Sequence, residues 1–399
     1  MNSNALYEII VIGAGLVGLS TAYHTKLKYP DKSILILEKE SKVSAHQSGH
    51  NSGVIHSGIY YKPGSLKAQN CISGYRSLIE FSDEHKVPYD ICGKVIVATS
   101  NEELPALNNI YERGIQNGLS DIKKITREEI NEFEPHVAGI AGIHVPQTGV
   151  IDYPYMAQKL REVLTEKLGA EVRFNEEVIK IDKDGQAYKV ESSKQVYSTR
   201  KIISCAGLQS DRVANLTETE NDLRIIPFRG EYYKLRPEKE YLIKNLVYPV
   251  PDPKFPFLGV HFTRMIQGGV EAGPNAVLAF KREGYKFKDF NLKDSLDTFT
   301  WPGFWTIVAK FGRIGMGEIY RSLSKTAFTK ALQKLLPEIT EDDLIPGGAG
   351  VRAQACDRNG NLIDDFNILE SENIIHVRNA PSPAATSCLA IGKTISEKI

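Results

Sequence analysis

The stretch IIVIGAGLVG, residues Ile9–Gly18, decides the fold of this chain. Ile9–Ile12 is a short continuous run of β-branched side chains, which is typical of a strand that is buried on both faces. A G-x-G-x-x-G pattern follows, in which Gly13 allows a tight turn, Gly15 lets a pyrophosphate approach, and Gly18 lets a helix pack on the strand. The N-terminus of that helix offers free N–H groups to phosphates. The stretch therefore predicts a site for an ADP moiety.

A second predicted strand places an acidic residue where a ribose would lie. Ser33–Leu37 is mostly apolar, and Glu38 follows it, 20 residues after Gly18. A carboxylate at this spacing accepts hydrogen bonds from a ribose and repels a 2′-phosphate. The pattern therefore favours FAD or NAD over NADP.

Composition and charge narrow the class of protein. The 399 residues include 49 basic and 49 acidic ones, and this neutrality argues against a nucleic-acid partner. No apolar run reaches the roughly 18 residues that cross a bilayer, and no signal-like segment precedes the first strand. Five scattered cysteines without C-x-x-C spacing indicate reduced thiols, and we predict no metal site. We expect a cytoplasmic protein, with peripheral contact to the inner face of a membrane as a further option.

The segment after Glu38 predicts a functional loop. Residues 44–64 contain three histidines, His46, His50 and His56, among many serines and glycines, and they show neither helical nor strand periodicity. A long structureless segment inside a compact domain is usually functional, and histidine titrates near neutral pH. We therefore expect this loop to lie against a flat ligand.

The remaining elements predict two domains. Beyond a helix at Leu66–Lys86 the parallel βαβ order stops, and short alternating strands such as Arg224–Leu235 and Phe257–Thr263 indicate an antiparallel sheet. We expect an α/β protein. Its Rossmann-like, doubly wound dinucleotide-binding domain is discontinuous and its second, α+β substrate domain is built on an antiparallel sheet, with residues 1–84, 150–222 and 342–399 in the first and 85–149 and 223–341 in the second. The aromatic residues Trp301, Trp305 and Phe311 either pack in the core, which we favour, or form a membrane or partner patch.

Six runs of sequence carry a resemblance to a known family. They are residues 46–68, Leu258–Arg264, Gly273–Ala279, Arg282–Tyr285, Gly348–Gln354 and Asn379–Ser387. In these runs the chain resembles the FAD-dependent oxidoreductases of the D-amino-acid oxidase and glycerol-3-phosphate dehydrogenase superfamily. Within it, the chain looks like the L-2-hydroxyglutarate oxidase/dehydrogenase family. The resemblance covers nearly the whole chain.

The resemblance implies that the dinucleotide is FAD and that the first domain is an FAD-binding domain. We expect noncovalent binding, although His46, His50 and Cys71 are residues to which covalent attachment could be proposed. The candidate cofactor-binding residues are Gly13, Gly15, Leu16, Val17, Gly18, Glu38, Lys39, His50, Asn51, Ser52, Gly53, Val54, Val178, Ala206, Gly207, Gly350, Ser382, Ala384, Ala385 and Thr386.

The resemblance also implies a reaction, the oxidation of L-2-hydroxyglutarate to 2-oxoglutarate with hydride transfer from C2 to flavin N5. A neutral imidazole suits removal of the hydroxyl proton, and His56 is the first candidate for this base, with His261 as the second. Arg352 is the candidate partner of the carboxylate beside the reacting carbon. The further candidates for binding this small dicarboxylate are Tyr60, Tyr61, Tyr232 and Arg264.

Three other functions stay open on the sequence alone. The first is a flavin enzyme for an amino acid or glycerol 3-phosphate on the same scaffold, and the second is an NAD-dependent dehydrogenase. The third is a non-enzymatic redox sensor that binds a dinucleotide. The electron acceptor is also open, because no motif distinguishes oxygen, a quinone or a carrier protein.

Overall fold

The computed structural model describes residues 6–217, 222–252 and 258–399, and the described strands form three sheets. The strands are β1 (Leu6–Ile12), β2 (Ile34–Leu37), β3 (Val54–Ile55), β4 (Tyr89–Asp90), β5 (Lys94–Ala98), β6 (Lys123–Thr126), β7 (Ala141–Val145), β8 (Gly149–Ile151), β9 (Glu171–Arg173), β10 (Val178–Asp184), β11 (Ala187–Ser192), β12 (Val196–Ser204), β13 (Leu223–Leu235), β14 (Leu246–Pro249), β15 (His261–Arg264), β16 (Val270–Gly273), β17 (Val277–Leu278), β18 (Leu344–Asp357), β19 (Asn367–Ser371) and β20 (Ile374–Asn379). The helices are α1 (Leu16–Lys28), α2 (Leu66–His85), α3 (Leu104–Gln116), α4 (Arg127–Phe133), α5 (Tyr153–Glu162), α6 (Ser210–Ala214), α7 (Leu292–Phe299), α8 (Pro302–Leu323), α9 (Lys325–Leu332) and α10 (Cys388–Ser396).

The eight-stranded sheet contains the glycine motif. Its order is β10-β11-β12-β1-β2-β9, with β20 paired to β12 and β19 to β20. The pairs β1–β12, β1–β2, β2–β9 and β12–β20 are parallel. All four residues of β2 are buried, as expected where helices cover both faces of a parallel sheet. The predicted Rossmann-like, doubly wound α/β fold is confirmed.

The nine-stranded sheet is mostly antiparallel. Its order is β17-β13-β16-β15-β14-β5-β7-β6, and β18 pairs with β13. One pair, β14–β5, is parallel. The β13–β18 pair runs from Leu223 opposite Asp357 to Leu235 opposite Leu344. The third sheet is small and has the order β3-β8-β4.

One strand crosses the domain division that the sequence predicts. The strand β18 begins at Leu344, inside the 342–399 segment that was assigned to the FAD-binding domain, yet it pairs with β13 in the nine-stranded sheet. Its Pro346-Gly-Gly sequence resembles a turn, but an edge strand tolerates proline because its outer N–H groups need no partner.

Two helices begin where a side chain caps their first turn. The Thr126 hydroxyl accepts from the backbone N–H of Glu129, and α4 starts at Arg127. The Ser324 hydroxyl accepts from the backbone N–H of Ala327, and α9 starts at Lys325. The start of the predicted strand Phe257–Thr263 lies outside the described residues, and its described part is β15.

The described helices include none that is both long enough and apolar enough to span a bilayer.

The two helices at opposite ends of the sequence, α1 and α10, pack against each other beside the parallel sheet. Their contact is close at Gly392, where a Cβ atom would lie 2.4 Å from the backbone carbon of Ser20. Side chains around this crossing, among them Leu19, Ile391 and Ile395, belong to the largest buried apolar cluster. The absence of a side chain at Gly392 therefore sets the distance between the two helices.

We expect Gly392→Ala to destabilise the protein by about 1–3 kcal/mol, because the new methyl group overlaps the α1 backbone. A lower thermal unfolding temperature of the FAD-loaded protein would measure the effect. Gly315→Ala is the matched control, since a Cβ there meets nothing within 4 Å in helix α8. It should be neutral or slightly stabilising. Equal unfolding temperatures for the two variants would contradict the packing argument.

Candidate active site

The glycine turn between β1 and α1 has the backbone geometry that its sequence predicts. Gly13 has φ +102°, and a Cβ atom on Gly18 would lie 2.0 Å from the Gly13 carbonyl oxygen. A side chain at either position is therefore excluded. The first turn of α1 faces the loop of residues 44–64, where the Ser48 hydroxyl accepts a 3.0 Å hydrogen bond from the Leu16 N–H.

Glu38 lies at the end of β2 beside this turn. One carboxylate oxygen accepts a 2.7 Å hydrogen bond from the Ala14 N–H, and the other accepts a 3.0 Å hydrogen bond from the Glu40 N–H. These contacts fix the carboxylate next to the glycine turn, and Glu38 lines a large cavity. Its role as the ribose-binding acid stays a prediction.

One cavity of about 1340 Å³ brings most of the sequence candidates together. The predicted cofactor residues that line it are Gly13, Gly15, Leu16, Val17, Glu38, Lys39, His50, Asn51, Ser52, Val54, Val178, Ala206, Gly207, Gly350, Ser382, Ala384 and Ala385. The predicted catalytic and substrate residues that line it are His56, His261, Arg352, Tyr60, Tyr61 and Tyr232.

Four candidates do not line the cavity. Gly18 packs against the backbone of the glycine turn, and Gly53 adopts a left-handed backbone conformation with φ +67°. Both glycines therefore shape the backbone next to the cavity. Thr386 is fully buried under the wall. Arg264 was expected to bind a substrate carboxylate, but its guanidinium forms an ion pair with the Asp90 carboxylate instead. We therefore do not retain Arg264 as a substrate ligand.

Thr386 connects His56 to the C-terminal segment. Its hydroxyl accepts a 3.1 Å hydrogen bond from the His56 N–H and lies 2.8 Å from the Tyr153 hydroxyl. The imidazole Nε2 of His56 lies 3.5 Å from the Ser382 hydroxyl. Burial, with a smaller contribution from the Lys94 ammonium, lowers the pKa of His56 to about 3. The imidazole is therefore neutral at physiological pH, with one ring nitrogen unprotonated.

His261 is the second imidazole of the cavity, and its orientation is fixed. Its Nδ1 lies 2.9 Å from the Gly259 carbonyl oxygen, so Nδ1 carries the hydrogen and Nε2 holds the lone pair. The ring lies 3.9 Å from that of Tyr248, centroid to centroid. The pKa of His261 is lowered to about 4, mainly by burial and also by the nearby Arg352 and Lys94, while the hydrogen bond to the Gly259 carbonyl opposes these effects.

Arg352 extends from β18 into the cavity. Its Nη1 donates a 3.3 Å hydrogen bond to the Asn275 carbonyl oxygen. Burial lowers its pKa and the Tyr232 hydroxyl opposes that effect, but a guanidinium stays charged at physiological pH. The cavity thus combines a fixed cation with two neutral imidazoles.

Two residues near these groups were missed at the sequence level. Tyr248 lines the cavity, and Lys94 lies behind it with its Nζ 4.9 Å from the centroid of the Tyr248 ring. Lys94 precedes Val-Ile-Val-Ala in a strand whose residues are all buried. The sequence signal for Lys94 was a lysine at the start of an otherwise apolar strand.

One cluster among the described residues combines metal-ligand types, namely Glu40, His46 and Glu283. The ammonium of Lys39 lies 2.8 Å from the Glu40 carboxylate and 2.7 Å from that of Glu283. The one ammonium of Lys39 pairs with both carboxylates, so the cluster is an ion-pair network at the cavity wall.

The cavity fits a flavin dinucleotide. Small-ligand sites typically measure about 300–1,000 Å³, so this cavity has room for a dinucleotide together with a small substrate. The first turn of α1 provides N–H groups for phosphates, and at Gly15 a Cβ would meet only the Ser48 hydroxyl, at 3.2 Å. The loop of residues 44–64 and the segment Ser382–Ala385 provide the remaining wall.

Solved structures with the same fold bind or act on small molecules. L-alpha-glycerophosphate oxidase from Mycoplasma pneumoniae, with FAD bound, matches with a TM-score of 0.80 and 22% identity, covering 99% of this chain and 95% of that one. L-proline dehydrogenase from P. horikoshii matches with a TM-score of 0.72 and 17% identity, covering 99% and 93%. These similarities support the fold.

Curated relatives are closer in sequence. L-2-hydroxyglutarate dehydrogenase of Indibacter alkaliphilus is 56% identical over 392 residues, which cover 98% of both chains. The mitochondrial L-2-hydroxyglutarate dehydrogenase of Homo sapiens is 44% identical over 415 residues, covering 100% of this chain and 89% of the human one. The FAD dependent oxidoreductase family model matches residues 8–398. The chain therefore belongs to the FAD dependent oxidoreductase family, which confirms FAD as the cofactor predicted from the sequence.

Proposed function

We propose that this enzyme oxidises L-2-hydroxyglutarate to 2-oxoglutarate. The observation that carries the proposal is the cavity in which His56, His261 and Arg352 meet the loop and the segment expected to surround the flavin. Relatives that cover nearly the whole chain at 44–56% identity bear the name L-2-hydroxyglutarate dehydrogenase, which supports the same substrate.

His56 is our candidate for the base that takes the substrate hydroxyl proton. When bound, FAD supplies the hydride acceptor at N5, so the protein has to remove only the proton. The neutral imidazole of His56 can do so, and its link to Thr386 ties it to the Ser382–Ala385 segment. His261 has a free Nε2 and is the alternative base.

Arg352 is our candidate for the carboxylate beside the reacting carbon. A guanidinium binds a carboxylate with two parallel hydrogen bonds, and a partly desolvated site strengthens them. Tyr60, Tyr61 and Tyr232 line the same cavity and can donate hydroxyl hydrogen bonds. Burial raises the pKa of all three phenols, so they stay protonated donors.

The proposal predicts which compound reduces the flavin. In an anaerobic titration of the purified holoenzyme, L-2-hydroxyglutarate should bleach the flavin absorbance near stoichiometry, whereas the D enantiomer should not. Glycine, proline and glycerol 3-phosphate are the controls for the alternative flavin enzymes. Bleaching by one of these and not by L-2-hydroxyglutarate would refute the substrate, and no bleaching by any of them would favour a redox sensor.

We expect His56→Ala to retain FAD and to reduce it at least about 100-fold more slowly, because the proton has no acceptor. Stopped-flow absorbance under anaerobic conditions measures this rate, and His261→Ala should slow it less. A wild-type rate in flavin-loaded His56→Ala would exclude His56 as the base. The reverse order of the two variants would assign the role to His261.

We also propose that an exposed face of α7 and α8, here called the α7–α8 face, contacts an anionic membrane surface. Exposed apolar side chains recur at helical spacing along both helices: Leu292, Leu296 and Phe299 on α7, and Trp305, Val308, Met316, Ile319 and Leu323 on α8. The Phe299 ring lies 6.3 Å from that of Trp305, which makes the two stripes continuous. Of the three aromatic residues singled out in the sequence, Trp301 is buried, Phe311 is half-buried, and Trp305 is 55% exposed.

The charges around the α7–α8 face complement anionic lipid. Lys286, Lys288, Lys293, Lys310 and Arg313 are exposed. The acidic residues of the same segment are mostly neutralised within the protein, since Asp294 and Asp297 pair with Arg212, and Glu318 pairs with Arg321. An apolar stripe flanked by free cations is typical of an interfacial helix.

The holoenzyme should therefore sediment with vesicles that contain phosphatidylglycerol, and less with vesicles of phosphatidylcholine alone. Added salt should weaken this binding because the lysine contribution is screened. Trp305→Asp should reduce it at least about fivefold, by placing a charge in the apolar stripe. Tyr241→Asp, at a residue 59% exposed elsewhere, is the matched control. Equal sedimentation of the two variants would contradict the assignment of the α7–α8 face.

A further inference from the structure

A buried lysine lies directly behind the part of the cavity wall that Tyr60 and Tyr248 form, here called the Tyr60–Tyr248 wall. Lys94 begins β5, and its side chain is 1% exposed. Its Nζ lies 4.5 Å from the centroid of the Tyr60 ring and 4.9 Å from that of the Tyr248 ring. Both tyrosines line the cavity, whereas Lys94 does not. The two rings therefore lie between the ammonium and the cavity.

No carboxylate among the described residues forms an ion pair with Lys94, whereas most buried charges in proteins are paired. The faces of two aromatic rings compensate only part of the cost of taking an ammonium out of water. When protonated, the unpaired ammonium places a positive potential on the cavity side of the rings. His56 and His261 both experience that potential, because Lys94 lowers the pKa of each.

We propose that Lys94 is a specificity-determining residue that favours a substrate with two carboxylates, by placing a second positive charge behind the Tyr60–Tyr248 wall. This inference rests on the proposed function, in which Arg352 binds the carboxylate beside the reacting carbon. The other carboxylate then has no guanidinium of its own in that proposal. Lys94 attracts it through space, without touching it, and so acts as a positioning residue.

The charge of Lys94 changes within an accessible pH range. Burial lowers its pKa to about 7. The other titratable groups that face it stay fixed there: the pKa values of His56 and His261 lie far below, and burial raises those of Cys71, Tyr60 and Tyr248 far above. The cations Arg352 and Lys67 face the two histidines, and Lys67 is paired with Asp364 at 2.7 Å. Because only protonated Lys94 attracts an anion, dicarboxylate affinity should fall as pH rises through 7.

The first test uses the wild-type holoenzyme and two ligands of equal length, 2-oxoglutarate and 2-oxopentanoate, which differ in the distal carboxylate. Binding to the oxidised enzyme is followed by the change in flavin absorbance. Between about pH 6 and about pH 9 the dissociation constant of 2-oxoglutarate should rise about tenfold, and that of 2-oxopentanoate less than about twofold. Parallel changes for the two ligands, or no change for either, would overturn the inference.

The second test uses Lys94→Met and Lys94→Arg, with flavin content and unfolding temperature as checks of folding. Lys94→Met should weaken 2-oxoglutarate about tenfold at pH 6, leave 2-oxopentanoate nearly unchanged, and remove the pH dependence. Lys94→Arg should keep the affinity and also lose the pH dependence, because a guanidinium does not titrate there. If Lys94→Met does not fold, the wild-type profile and Lys94→Arg decide the question.

Different results would refute the proposed function and the role of Lys94. A wild-type enzyme that binds no 2-oxoglutarate at any pH refutes the proposed function itself. A wild-type enzyme that binds it tightly, with the same preference over 2-oxopentanoate at every pH and in every variant, refutes only the role of Lys94.

Discussion

The site depends on one close backbone contact between the nine-stranded sheet and the loop of residues 44–64. At Gly350, in strand β18, a Cβ atom would lie 2.3 Å from the carbonyl oxygen of His50. The bare backbone of the nine-stranded sheet thus rests on the loop that follows the dinucleotide-binding strands. Two residues along β18, Arg352 reaches into the cavity that this contact helps to enclose. The absence of a side chain at Gly350 therefore lets the loop of residues 44–64 lie directly against the strand that carries Arg352.

Electrostatics in the cavity follow from burial. A cavity wall that excludes water disfavours the charged form of every group. The imidazoles and phenols are therefore neutral, while the guanidinium of Arg352 stays charged. The result separates the roles of the groups: neutral His56 and His261 can accept a proton, and Arg352 can hold an anion.

The local parts of this structure were predictable and the non-local parts were not. The turn at Gly13, the acid at Glu38 and the parallel strands around them follow from spacing within forty residues of sequence. Arg264 was misjudged because its partner, Asp90, lies 174 residues away along the chain. Strand β18 was missed because Pro346-Gly-Gly favours a turn, and only its partner β13 extends it. The position of Lys94 behind Tyr60 and Tyr248 depends on the sheet as a whole, which no local pattern encodes. The cavity candidates His56 and Arg352 came from family resemblance rather than from periodicity.

The packing of α10 on α1 has a consequence for how the fold is completed. The helix α1 follows the glycine turn directly, yet side chains from beyond residue 387 cover part of its apolar face. Thr386, whose hydroxyl accepts from the His56 N–H, directly precedes that helical segment. Contacts so distant in sequence cost more loop-closure entropy than local ones. The packing under the glycine turn and the support of His56 therefore depend on the same long-range contacts.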